Sequence, residues 1–431
     1  MGSVEQAGWR HVIRRGLTAA ALLGASALPL AAQGAPDWAA FDRSVAKAAR
    51  DWHVPGLAIA VVSNDSLVFA RGYGVIEAGK PTPATEHTRF AIGSTTKAMT
   101  TAALAMLVDE GKLRWDDRVI DYLPELRLYD PYATHELTVR DLLTHRTGLP
   151  GTDLLWAIPE NQYPMAEMIR RLRFVHPASS FRTTFWSSVS DMSKWMRFIL
   201  DSGRVGSTRL IKPATFEEIV APQIRAPLSE YPALELSHSH FFAYALGWFV
   251  QDYHGNTVWM HTGSIDGMSA IIGLLPGQRV GVYVLANFDH AELRHALMYE
   301  VFDLYRGAAP RDWSTEMHSL YSARRRGAMA SASKHAAGTH PSLPLERYAG
   351  RYADSTYGIV TVELAGGALR ARFENADLGV LAPWEYDSFR STPARAAADP
   401  ATVTFLPDGT GHVAAVRLFG VRFARAERDA R

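Results

Sequence analysis

Ser94 and Lys97 stand three residues apart in the run Phe90-Ala91-Ile92-Gly93-Ser94-Thr95-Thr96-Lys97-Ala98-Met99. On a helix that spacing puts the hydroxyl and the amine on one face. An amine among apolar neighbours gives up its proton more readily and can then act as base toward a serine hydroxyl. A serine at a helix start also offers its own N–H to a developing oxyanion, where the helix dipole favours negative charge. Gly93 lets the backbone approach a bound molecule. The chemistry this suggests is acyl transfer through a serine nucleophile. The same spacing recurs at residues 44–47 and 331–334. The first precedes any strand and the second lies in an aperiodic stretch, so neither has a pocket setting. The competing reading of Ser94 is a helix-capping serine beside a solvated lysine, and the surrounding elements decide between the two.

Those elements are legible in outline. Residues 38–52 repeat Phe41, Val45, Ala49 and Trp52 at helical spacing and stop at Val54-Pro55-Gly56. Residues 57–62 and 67–72 are β-branched, apolar runs joined by Ser63-Asn64-Asp65-Ser66, a hairpin signal. Residues 90–111 read as one long helix closed by Gly111. A short helix follows over 138–146, with Leu142 and Leu143 inward, and another over 190–200 with Asp191 near its positive end. Strands are predicted over 244–252, 257–261, 269–275 and 280–287, then an amphipathic helix over 290–305. Strands near both ends thus bracket a helical middle, which predicts one α+β domain whose sheet is assembled from both ends. Residues 306–344 lose periodicity and read as a linker with at most a short helix. Short alternating segments at 358–364, 368–373, 402–405 and 413–418, with turns at Gly366-Gly367 and Asp408-Gly409, predict a small antiparallel β domain or barrel.

The run from Phe90 to Lys97 resembles the nucleophile motif of the class C β-lactamase-related serine hydrolases, which include penicillin-binding proteins, DD-peptidases and esterases. Two further stretches agree in order and setting. They are Leu137-Thr138-Val139-Arg140-Asp141-Leu142-Leu143-Thr144-His145-Arg146-Thr147-Gly148-Leu149-Pro150 and Trp186-Ser187-Ser188-Val189-Ser190-Asp191-Met192-Ser193-Lys194-Trp195-Met196. His261-Thr262-Gly263-Ser264 resembles the third catalytic motif, where Lys or His precedes a small residue and Gly. The similarity runs from Trp38 to about Tyr305. It implies an antiparallel sheet flanked by helices, with a helical lobe beside it. It further implies Ser94 as nucleophile, Lys97 as base and His261 as the polar group facing the pocket. Gly263 would keep the edge open and the Ser264 N–H would join that of Ser94 in the oxyanion hole, with Thr262 in the substrate-binding edge. A histidine at 261, neutral for much of the time near neutral pH, is a weaker carboxylate anchor than lysine. Esters or peptides are therefore expected ahead of penicillins.

The sequence departs from the family at one motif. A Tyr-x-Asn is expected before the Trp186 stretch, its tyrosine assisting proton transfer. The five asparagines, Asn64, Asn161, Asn256, Asn287 and Asn375, follow Val62, Pro159, His254, Leu285 and Phe373 at that spacing. None completes the motif. Residues 177–185 look like the approach to it and run straight into Trp186, which points to a deleted segment and a shortened helical lobe. Tyr163, Tyr231 and Tyr253 are the candidate substitutes, though nothing in the sequence favours any of them.

Composition bounds the rest. Of 431 residues, 47% are hydrophobic and 21% charged, with a formal net charge of +1. That is globular material with no electrostatic case for nucleic acid. There is no cysteine, which excludes disulfides and thiolate chemistry. Gly-x-Ser-x-Gly, His-Glu-x-x-His and the Walker loop are absent, and no metal or organic cofactor is expected. His238 and His240 alternate but read as a solvated loop. Trp156, Trp186 and Trp248 are placed at the cleft border. A basic stretch over 10–15 and an apolar run over 17–32 predict a signal peptide cleaved after Gly34. No membrane span is expected to remain after processing. Arg14-Arg15 resembles a twin-arginine signal. The expected organisation is signal peptide 1–34, hydrolase domain 35–306, linker 307–344 and β domain 345–431. The expected function is a periplasmic or secreted serine hydrolase taking a small-molecule or peptide substrate, of open oligomeric state. The alternatives are a binding protein that kept the fold without the tyrosine motif, and a truncated, poorly folding remnant.

Overall fold

The computed structural model describes residues 35–149, 155, 163–175, 186–265, 267–288, 292–332, 334–336, 338–392 and 400–426. The leader expected over residues 1–34 lies outside them, and so do Trp156 and the approach segment 177–185. No helix among the described residues is long and apolar enough to cross a membrane.

The chain opens with helix α1 (Trp38–Asp51), capped by the Asp37 carboxylate on the Ala40 N–H. The hairpin β1 (Gly56–Ser63) and β2 (Ser66–Gly74) follows, then a short strand β3 (Phe90–Ala91). A 3₁₀ turn over Gly93–Thr95 leads into α2 (Thr96–Asp109). The single long helix expected over 90–111 is therefore corrected. Gly93 has φ +54°, which cannot continue a right-handed helix, so the chain breaks direction at Gly93 between β3 and α2. Next come α3 (Pro131–Glu136), α4 (Val139–Leu143) and α5 (Met165–Arg171). Leu142, expected inward, is 46% exposed; α4 is little more than one turn and buries Val139 instead.

Strand β4 (Trp186–Ser187) pairs with β3, and Ser188 caps α6 (Val189–Leu200) through the Asp191 N–H. A small hairpin β5 (Arg204–Val205) and β6 (Thr208–Arg209) precedes α7 (Pro213–Val220), β7 (Ile224–Arg225) and α8 (Ala233–Ser237). The run read as one strand over 244–252 is two, β8 (Phe242–Tyr244) and β9 (Phe249–Tyr253), because Gly247 at φ +78° reverses the chain between them. Then β10 (Asn256–Ile265), β11 (Met268–Leu275) and β12 (Val280–Ala286) complete the sheet, followed by α9 (Leu293–Arg306).

The eight strands run in the order β2-β1-β12-β11-β10-β9-β8-β7, with antiparallel neighbours. The join of β1 to β12, from Leu57↔Ala286 to Ser63↔Val280, stitches the two ends of the domain together as the sequence predicts. Period-2 alternation feeds two cores. Ala58, Ala60 and Val62 face α2 and α6, while Leu57, Ile59 and Val61 face α1 and α9.

The segment read as a linker carries a 20-residue helix, α10 (Trp313–Ala332). This too is a correction. Trp313, Met317 and Tyr321 repeat at i, i+4, i+8 and pack on the α9 side of the core, with the Trp313 ring stacked 4.8 Å from Tyr299. Beyond it, β13 (Gly350–Asp354), β14 (Gly358–Ala365), β15 (Ala368–Phe373), β16 (Ala376–Glu385), β17 (Ser388–Thr392), β18 (Thr402–Pro407), β19 (Val413–Leu418) and β20 (Val421–Arg425) close into an antiparallel barrel. Its interior holds Tyr352, Val360, Phe373, Phe389, Phe405 and Phe423. Leu155 joins that interior, and Arg171 on α5 donates to the Thr356 carbonyl at 3.0 Å while lying over the Tyr163 ring.

Candidate active site

Ser94 sits in the 3₁₀ turn just ahead of α2 and is 2% exposed. Two anchors fix this turn. The Thr95 hydroxyl donates to the Ile92 carbonyl at 2.7 Å and contacts the Tyr283 hydroxyl on β12 at 2.5 Å. Burial pushes the Tyr283 hydroxyl well above the usual phenol range, so it stays neutral. Lys97, half-buried on the first turn of α2, donates from Nζ to Ser94 Oγ at 2.9 Å. The two side chains that the sequence paired are in direct contact.

Strand β10 supplies the opposite wall. A Cβ added at Gly93 would stand 2.5 Å from the Ser264 nitrogen, and one added at Gly263 would stand 2.1 Å from the Ile92 oxygen and 2.9 Å from the Ser94 nitrogen. Real Cβ atoms do not approach so closely, so both positions require glycine. Together they let the Gly93–Thr95 turn lie directly against the strand edge. Thr262 is buried and its hydroxyl meets Tyr231 Oη at 2.8 Å. Arg294, 4% exposed on α9, pins the edge from behind: its Nη1 donates to the Gly263 carbonyl at 2.7 Å, to Ser264 Oγ at 2.9 Å and to the Ala270 carbonyl at 3.1 Å. Glu292 balances that charge. Burial alone would raise its carboxyl, but the Arg294 charge and the His295 contact outweigh burial and hold it at about 2.

His261 is buried in the wall, with Nε2 2.9 Å from Tyr244 Oη and Nδ1 2.6 Å from the Thr262 carbonyl oxygen. The Tyr244 ring is in turn met edge-on by His145 at 4.8 Å and by Phe249 at 4.6 Å. Sequence reasoning missed Tyr244 and His145 as members of this wall. Tyr244 reaches it because the Gly247 turn places β8 two strands from β10, a relation set by register rather than by any local motif. His145 lies inside a stretch the resemblance singled out, at φ +57° just after α4.

Of the three tyrosines considered as substitutes, only Tyr231 touches the β10 motif. Tyr253 is core, bonded to Asp303, and Tyr163 packs against the barrel. Trp248 is fully buried in the α2-side core, which corrects its placement at the cleft border; Trp186 is exposed. His240 is solvent-facing and pairs with Asp252. No group of three metal-ligating side chains occurs among the described residues.

Comparison with known proteins agrees with this architecture. Residues 41–200, which contain Ser94 and Lys97, match the β-lactamase family model, and residues 334–431, which contain the barrel, match a domain of unknown function, DUF3471. The chain is 25% identical to the unguisins hydrolase ungD of Aspergillus violaceofuscus (strain CBS 115571), over 77% of this chain and 78% of that protein. It is 24% identical to the protein flp of Staphylococcus aureus (strain NCTC 8325 / PS 47), over 55% and 60% respectively. Among solved structures it shares the fold of the octameric penicillin-binding protein homologue from Pyrococcus abyssi, with a TM-score of 0.54 at 17% identity, over 90% of this chain and 99% of that one. Residues 41–200, with the serine–lysine pair, thus match a β-lactamase family domain, and the chain as a whole is similar to hydrolases and shares the fold of a penicillin-binding protein homologue.

Proposed function

We propose that this protein is an exported serine hydrolase that cleaves an ester or amide through an acyl-enzyme on Ser94. The observation that carries the reading is the 2.9 Å contact between Lys97 Nζ and Ser94 Oγ. In the reacting state Lys97 is neutral and takes the Ser94 proton as Oγ bonds to the acyl carbon. The tetrahedral oxyanion is held by the Ser94 and Ser264 N–H groups, the first reinforced by the α2 dipole. The C–O or C–N bond then breaks, with the proton passed from Lys97 to the leaving group. Water attacks the acyl carbon, gives a proton back through Lys97, and frees the acid and Ser94. Export rests on the basic and apolar leader of residues 10–32.

The absent Tyr-x-Asn favours a second reading, a binding protein that retains the fold without turnover. Hydrolysis of a nitrophenyl ester separates the two. The hydrolase reading expects turnover in the purified chain that Ser94→Ala abolishes and Lys97→Met lowers by at least about a hundredfold, the usual scale for general-base assistance. A cooperatively folded chain without turnover, or turnover unchanged in Ser94→Ala, supports the binding protein instead.

A further inference from the structure

We propose that Tyr244 is a positioning residue that withdraws His261 from the substrate, so that the site takes neutral acyl compounds in preference to those carrying a free carboxylate beside the scissile bond. The inference rests on the Ser94–Lys97 reading and names the substrate class for it.

A carbonyl oxygen only accepts hydrogen bonds, so the 2.6 Å contact to the Thr262 carbonyl assigns a proton to His261 Nδ1. A neutral imidazole then presents Nε2 as a lone pair, and Tyr244 Oη at 2.9 Å fills it by donating its hydroxyl proton. Both ring nitrogens are engaged inside the wall. The arrangement is rigid, because His261 and Tyr244 are 4% and 3% exposed and Phe249 packs on both rings, 5.2 Å from His261 and 4.6 Å from Tyr244.

A substrate carboxylate needs donors, preferably charged ones. A lysine at 261 would bring three rotatable N–H groups, more than one phenol and one carbonyl could occupy. His261 brings one N–H, and that one points back into its own strand. Among the described residues, the amine and the guanidinium at this edge are engaged too. Lys97 donates to Ser94, and Arg294 spends Nη1 on Gly263, Ser264 and Ala270. A carboxylate brought here would lose its water without gaining a charged partner from the described residues named above. An ester, or an amide inside a longer or cyclic peptide, incurs no such loss.

The test compares two depsipeptide esters that differ only at the end of the leaving group, one a free carboxylate and the other its carboxamide. A fluorophosphonate probe first establishes that Ser94 is reactive. The wild-type protein is expected to favour the carboxamide by about tenfold in kcat/KM, the scale of one charge-assisted hydrogen bond. Tyr244→Phe, which releases Nε2, is expected to move that ratio toward the carboxylate. His261→Lys moves it further, and it decides the matter should Tyr244→Phe fold poorly. A reactive Ser94 with no preference for the carboxamide overturns this inference alone. So does a ratio that neither variant moves. An unreactive Ser94 overturns the hydrolase reading and this inference with it.

Discussion

The contact of Ser94 with Lys97 was legible because the pairing is local: two residues three positions apart, led by a glycine, are visible in any short window of sequence. Tyr244 was not, because its partner His261 is seventeen residues away and the contact depends on how two hairpins register. Titrating side chains show the same limit. Glu300 on α9 lies beside Ser44, Asp312 and Trp313 along a cavity of about 620 Å³, and burial raises its carboxyl to about 7 from an ordinary value of 4.5. The folded protein therefore holds this proton after the unfolded chain has released it, and stability is lost as pH climbs from 4.5 to about 7. The total loss is roughly 3 kcal/mol. Glu300→Gln removes the titration. Thermal melts should find the variant more stable than wild type near about pH 8, with the advantage gone near about pH 4. An equal difference at both ends would contradict this account.

At the scale of elements, the site is made by one close approach, that of the 3₁₀ turn over Gly93–Thr95 to strand β10. The longer strands of the sheet followed from β-branched and apolar runs, the two-residue strands β3 to β7 did not, and the β1–β12 join followed from finding sheet-like runs at both ends of the domain. The helix α10 escaped notice because Trp313, Met317 and Tyr321 are set among Ala, Ser and Arg, which dilute the periodicity. The close approach is the more consequential feature, since no pattern in sequence states that two backbones touch. Gly263→Ala tests it. The added methyl meets the Ile92 oxygen and the Ser94 nitrogen, both backbone atoms that cannot swing aside. The turn must retreat, carrying Ser94 with it. A displacement of about an ångström is expected to lower kcat/KM by about a hundredfold while the thermal melt stays cooperative. Undiminished turnover in Gly263→Ala would show that this contact does not set the geometry.

Over the described residues, two cores flank one sheet, a third fills the barrel and a smaller cluster gathers Val119, Leu126, Leu128 and Leu137. The barrel is joined to the α5 region through Leu155, Arg171 and Tyr163, all of which precede residue 176 in the chain. Eight strands were only partly visible in the sequence because β13, β16, β17 and β20 are short or interrupted by Gly and Pro. The proposed activity turns on a single covalent bond to Ser94. Mass spectrometry of the intact protein, acid-quenched during turnover of a slowly released ester, reads that bond directly. The account predicts one acyl group per chain, localised by digestion to the peptide holding Ser94 and absent in Ser94→Ala. Turnover with no adduct on that peptide, or an adduct that survives in Ser94→Ala, would contradict it.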